Sequence, residues 1–215
     1  MKKITVLLAA LGLCACAGVN KNTVSYQMGK YDQKAYYVVA GEGADKEAAS
    51  ADALANMRQS FYQNVPDAKD ITQINDIMAN AVVDKVWRDK SSKDKKNYFA
   101  LAVLKRQTAE LILQVPANAL DARLGALASQ LQGTDDKFAG LRAAFAMEPL
   151  IKQRNVVQDL YVFVSENQSG YETQRFENYK KLYNDRLASV KVAAVVRGEE
   201  NAVLLSLITD AVNQM

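Results

Sequence analysis

The chain contains no histidine. That removes the usual general base near neutral pH and the commonest transition-metal ligand. Cysteine is almost as scarce: both residues, Cys14 and Cys16, stand at the extreme N-terminus, so neither has a disulfide partner in the body of the chain. Excess charge is missing as well. Lys and Arg total 27 against 24 Asp and Glu, and no block of like charge suggests a nucleic-acid tail. The densest basic stretch, RDKSSKDKKN at 88–97, is interrupted by aspartates and reads as a solvated turn. Long apolar runs are absent too. The stretch Ile4–Leu13 falls short of the roughly 20 residues that a bilayer span needs.

What remains is informative at the N-terminus. Lys2 and Lys3 precede the Ile4–Leu13 run and small residues follow it, the pattern of a bacterial export signal. Leu13-Cys14-Ala15-Cys16 fits the lipoprotein processing pattern of Leu, any residue, a small residue, then Cys. Modification at Cys14 would place bulky Leu13 where a small residue is required, so Cys16 is the expected lipidation site and Cys14 leaves with the signal. A plain secretory signal and a Cys14–Cys16 disulfide are the alternatives. Acyl chains on Cys16 would each contribute about 0.8 kcal/mol per buried methylene, enough together for a permanent membrane anchor. Ala17, rather than Asp, follows the cysteine, which implies the outer membrane and its periplasmic face. Removal of residues 1–15 takes away Lys2 and Lys3, leaving 25 basic residues against 24 acidic ones and a nearly neutral mature chain.

Residues 16–33 are polar and aperiodic, and the expectation is a lipidated flexible tether. KAYYVVAGEG then reads as a strand running into a turn at Gly41 and Gly43. Asp45 is a plausible N-cap for the helix KEAASADALANMRQSFYQ, whose apolar side gathers Ala48, Ala51, Leu54, Ala55, Phe61 and Tyr62. Arg58 falls within that side and reads as a snorkelling side chain. After Pro66 and a polar spacer, MANAVVDKVWRD and NYFALAVLKR form a hairpin joined by KSSKDKK. The expected fold class is α+β, a small antiparallel sheet covered by one helix. Neither face of NYFALAVLKR is polar, so something must cover the second face, either the C-terminal half or another copy of the chain.

These pieces, YYVVAGEGADKEAASADALANMRQSF, VVDKVWRD and NYFALAVLKRQTAELIL, together resemble the LPP-twenty lipoprotein family. Tyr37, Gly41, Gly43, Ala48, Ala53 and Leu54 match the first half of its motif, and Trp87, Leu101, Ala102 and Arg106 the second. The resemblance spans residues 34–114 and implies an envelope lipoprotein with a dodecin-like domain. It carries no catalytic residues with it.

Beyond residue 114 a helical subdomain, 115–215, is expected to end in a strand-helix unit. Leu120, Leu124, Leu127 and Leu131 recur at helical spacing up to Gly133, and Thr134 or Asp135 caps a second helix that Pro149 kinks or restarts. Gln168-Ser169-Gly170 turns into a third helix carrying Tyr171, Tyr179 and Tyr183 near or along it. Val190–Val196 reads as one further strand, and Val203, Leu204, Leu207, Ile208 and Ala211 mark a closing amphipathic helix.

No enzymatic chemistry is legible. The carboxylate pairs Glu42 and Glu47, Asp135 and Asp136, and Glu199 and Glu200 flank turns, where capping accounts for them. Gly41-x-Gly43 lacks the third glycine and the Lys-Ser/Thr ending of a phosphate loop. Trp87 reads as core or sheet surface rather than a stacking platform. The expectation is therefore a non-enzymatic scaffold or assembly lipoprotein without cofactor or metal. It would be held to the membrane by its lipid and partnered by copies of itself or periplasmic envelope proteins, and not by nucleic acid. The alternative is a lipoprotein that binds a cell-wall fragment or amphiphile.

Overall fold

The computed structural model describes residues 21–70, 72–88, 97–165 and 170–189. Cys14, Cys16, the KSSKDKK connection, Glu199, Glu200, the strand expected at Val190–Val196 and the closing helix all lie outside the described residues. The chain divides into two units, one comprising residues up to Met57 together with 81–104, the other 58–80 together with 105 onward. The fold is α+β, a three-stranded antiparallel sheet with helices followed by a mainly helical C-terminal region. Among the described residues no helix is long and apolar enough to cross a membrane.

In the first unit the strands are β1 (Tyr36–Gly43), β2 (Val82–Arg88) and β3 (Tyr98–Lys105), with β3 in the centre. β2 and β3 pair antiparallel, Trp87 opposite Phe99 and Lys85 opposite Leu101, with a register shift that leaves Asp84 as the bulged residue. Helix α2 (Lys46–Asn64) begins as expected at Asp45, whose Oδ1 accepts from Ala48 N at 2.7 Å.

The helix lies on β1 with its backbone almost touching the strand. A Cβ on Gly41 would stand 2.1 Å from Ala53 N, and one on Gly43 would stand 2.4 Å from Ala49 N. These glycines serve close approach rather than an unusual turn. The buried stripe of α2 is accordingly Ala49, Ala53, Met57 and Phe61, while Ala48, Ala51 and Ala55 are exposed and Leu54 is half-buried. The expected apolar side was thus rotated. Alanine stands on every side of this helix, so hydrophobic pattern cannot set its phase, and the two glycines do. Asp52 and Asn56 grip β1. Asp52 Oδ2 accepts from Glu42 N at 2.9 Å, and Asn56 Nδ2 donates to Ala40 O at 3.1 Å.

The second sheet face is covered by the N-terminal segment, rather than by the C-terminal half or another copy. Where a flexible tether is expected, Val24–Met28 forms helix α1, capped by Thr23 Oγ1, which accepts from Tyr26 N at 3.2 Å. Trp87 Nε1 donates to Asn22 O at 2.7 Å, and Lys85 Nζ donates to Oε1 of buried Gln27 at 2.6 Å. Tyr31 donates its hydroxyl to Asp84 and sets its ring edge-on to Tyr36, centroids 6.1 Å apart. Tyr36 and Gly41 lie an odd number of residues apart in one strand and so project to opposite faces. Residues 22–31 therefore pack on the face away from α2. The attachment is mostly polar, which is why an apolar-pattern reading leaves this segment loose.

In the second unit the polar spacer after Pro66 is structured. Pro66–Asp70 forms a 3-10 turn and Gln73–Met78 forms helix α3, burying Ile74, Ile77 and Met78. Helix α4 (Arg106–Gln132) follows β3 directly and runs unbroken through the boundary expected at 114, with Pro116 inside it. Helix α5 (Lys137–Val164) likewise continues through Pro149. Its cap is Asp136, one residue beyond the expected pair, with Oδ1 accepting from Phe138 N at 2.9 Å. Helix α6 (Thr173–Ala188) packs against α4 and α5. Of the expected leucine row, Leu120, Leu124 and Leu131 are buried, and Leu127 is half-buried. Arg106 Nη1 donates to Val164 O at 2.6 Å, joining the start of α4 to the end of α5 and satisfying a helix-end carbonyl.

Two outcomes follow. Gly41→Ala places a methyl group inside the α2 backbone, which has no rotamer with which to yield, and should cost at least about 3 kcal/mol in chemical denaturation; Ala55→Gly, on the exposed side, should cost only about 1 kcal/mol. Tyr31 has its phenol pushed up from 10.0 to about 12, first by burial, then by its hydrogen bond to Asp84 and that carboxylate's charge. Because the folded value is the higher, its contribution to stability is complete below pH 10 and is lost as pH climbs from 10 toward about 12. Emission of Trp87, the single tryptophan, should shift over that window in the parent. Tyr31→Phe should remove that component, and an unchanged profile would contradict the assignment.

Candidate functional site

The helical unit carries a groove of about 330 Å³. Helix α4 contributes Pro116, Ala119, Leu120 and Arg123, which recur at helical spacing and so share one face. Gln153 and Val157 come from α5, one turn apart, and Thr72 and Gln73 from the start of α3. Local sequence explains the opening. Pro116 has no N–H to give to the carbonyl one turn back and its ring presses on that turn. Ala119 then offers only a methyl group where a larger side chain would fill the space.

The floor is apolar, with Leu120 and Val157 buried, and the rim is polar. Among the described residues Arg123 is the one charged residue lining the groove. Among the described residues the side chains of Arg123, Gln73 and Gln153 have no hydrogen-bond partner, and Thr72 makes no side-chain cap bond. The arrangement offers a cation and two amides above an apolar surface. It holds no nucleophile and no acid-base pair.

Behind the groove lies a buried polar hub. Arg154 and Asp121 are both fully buried and pair at 2.9 Å through Nε and Oδ1. Arg154 Nη2 donates to Tyr171 O at 2.7 Å, Nη1 donates to Gln158 Oε1 at 2.8 Å, and the guanidinium lies 4.9 Å from the Phe176 ring centroid. Gln158 Nε2 donates in turn to Thr173 Oγ1 at 2.8 Å. One arginine thus ties α4, α5, the turn after α5 and α6. Asp121 neighbours Leu120 and Arg154 neighbours Gln153 in sequence, so the hub fixes the two helices that carry the groove walls.

The residues singled out from sequence are mostly structural. Trp87 stacks on Phe99, with centroids 5.9 Å apart, and holds the N-terminal segment. Arg58 donates through Nη1 to Asn75 Oδ1 at 2.7 Å. Glu42 accepts from Asn97 Nδ2 at 2.5 Å, and Asp136 is a cap. The Tyr171 hydroxyl donates to Asn118 Oδ1 at 3.1 Å, and the Tyr179 hydroxyl accepts from Arg175 Nε at 3.0 Å. Tyr183 is pushed up by burial and by Glu148, with Lys152 opposing. Cys16, the expected lipidation site, lies outside the described residues. The groove has little sequence signature beyond Pro116 and Ala119, two turns and one turn before Arg123.

One further carboxylate stands out. Asp159 is raised by partial burial, then by the charge of Asp67, with Lys180 opposing. No third donor joins them, and no group of three or more metal-ligating side chains occurs among the described residues.

Asp121→Ala would leave Arg154 as a buried unpaired charge and should cost about 3–5 kcal/mol, whereas a double replacement by apolar residues of similar volume should cost much less. A double-mutant cycle in denaturant measures the difference.

No protein-family model matches the chain. No curated protein sequence matches it either. Among solved structures, the secreted protein HP1454 from the human pathogen Helicobacter pylori is similar at 18% identity and a TM-score of 0.34, covering 70% of this chain and 60% of that one. The chain thus spans less than two thirds of that protein's length.

Proposed function

We propose that this chain is an envelope lipoprotein, acylated at Cys16 and held at the periplasmic face of the outer membrane, where it acts as a scaffold or assembly factor through protein–protein contacts. In this reading it belongs with the LPP-twenty lipoproteins, its sheet and α2 form a dodecin-like layer, and it performs no catalysis. The anchor rests on the Leu13-Cys14-Ala15-Cys16 pattern. The observation that carries the contact function is the placement of apolar side chains on the helical unit. Phe138 is 76% exposed and Phe145 52% on α5, and Leu111 is 57% and Val115 70% exposed on α4. Large apolar residues exposed on helix faces suit docking to another protein.

A second reading, recognition of an amphiphile or cell-wall fragment, is favoured by the Arg123 groove.

Fractionation and mass measurement test the proposal. The parent should pellet with membranes and yield a peptide carrying acyl mass on Cys16, and Cys16→Ser should stay in the soluble fraction. Size exclusion with light scattering should give a multiple of the chain mass that Phe138→Ser with Phe145→Ser reduces. A bare Cys16 would overturn the anchor. A parent that stays monomeric at high concentration would overturn self-association.

A further inference from the structure

We infer that the groove between α3, α4 and α5 binds a small amphiphilic carboxylate, with Arg123 holding the carboxylate and the Pro116–Leu120–Val157 floor receiving the apolar body. This rests on the second reading of function above and gives it a site and a ligand class. Three features converge. Among the described residues the charge of the lining is a single cation, Arg123, and the lining residues include no acid, so the complement is an anion. A guanidinium presents a planar fork that matches a carboxylate through two parallel N–H bonds. The floor is apolar, lined by Pro116, Ala119, Leu120 and Val157, so an apolar group seated there meets no polar side chain beneath it.

The volume sets the ligand's size. At about 330 Å³ the groove is near the lower end of small-molecule sites. It suits a molecule of roughly ten to fifteen heavy atoms and excludes a folded partner or a long lipid. Gln73 and Gln153 supply amide donors and acceptors beside the cation. They would serve a ligand that carries a peptide-like amide next to its carboxylate. The chemistry has two natural sources, the C-terminus of a short apolar peptide and a medium-chain fatty acid.

Titration of the purified chain by heteronuclear NMR separates these sources and tests the site. The probes are N-acetyl-leucine, its neutral amide N-acetyl-leucinamide, octanoate and octanol. Saturable shifts at Ala119, Arg123 and Gln153 with the carboxylates, and at least about tenfold weaker binding of the neutral analogues, are expected from loss of a charge-assisted contact. N-acetyl-leucine tighter than octanoate identifies a peptide end, and the reverse identifies a fatty acid. Arg123→Gln should weaken the carboxylates by about tenfold and leave the neutral probes unchanged. Ala119→Phe should block both classes by filling the groove. Both positions are exposed, and unchanged melting of the two variants establishes that the fold is intact. Equal binding of acid and amide, carboxylate binding that survives Arg123→Gln, or no saturable shift at millimolar probe would overturn the inference. None of these outcomes depends on membrane attachment or self-association, so the site and the scaffold reading can fail separately.

Discussion

Two α-carbons without side chains govern the sheet unit. Because Gly41 and Gly43 have nothing to project, the backbone of α2 descends onto β1 until Ala49 and Ala53 meet the strand directly. That contact selects which stripe of an alanine-rich helix is buried. It also brings Asp52 and Asn56 within reach of Glu42 N and Ala40 O. Backbone groups that another strand could use are thereby occupied, a common protection for a sheet edge.

The opposite face is held by different physics. Residues 22–31 attach through the Trp87 indole, the Lys85 ammonium and the Tyr31 hydroxyl, each reaching a single polar partner. Such a cover is less costly to open than a packed apolar layer, since water can replace each of these partners. The helical unit combines both approaches. Its buried leucines and alanines provide the core, and the Arg154–Asp121 hub selects one alignment of the helices. Burying a full charge pair contributes little net stability, but any misaligned arrangement leaves an unpaired ion.

Much of this architecture was legible because its causes are local. β1, β2 and β3 follow from β-branched and aromatic runs, Asp45 announces α2, and the leucine spacing announces α4. Legibility failed where the cause is a distant partner. Ala51 and Ala53 are indistinguishable until Gly41 is known to press on the second of them. The segment around Gln27 looks like a linker because its anchors, Lys85 and Trp87, are far away in sequence. Pro116 suggests a helix break, yet α4 continues because its apolar face is already committed to the core on both sides of the proline. The groove was hidden for a related reason. It is formed by three segments, and its emptiness depends on what Ala119 lacks.

The fastening of Asn22 by Trp87 has a geometric corollary. From Cys16 to Asn22 the backbone has six peptide steps, which at full stretch reach about 20 Å. An acyl anchor at Cys16 would therefore hold the Trp87 face of the sheet at low altitude above the lipid headgroups, on a short leash. Releasing that indole would lengthen the leash, turning a hydrogen bond into a control on how far from the bilayer the molecule can operate.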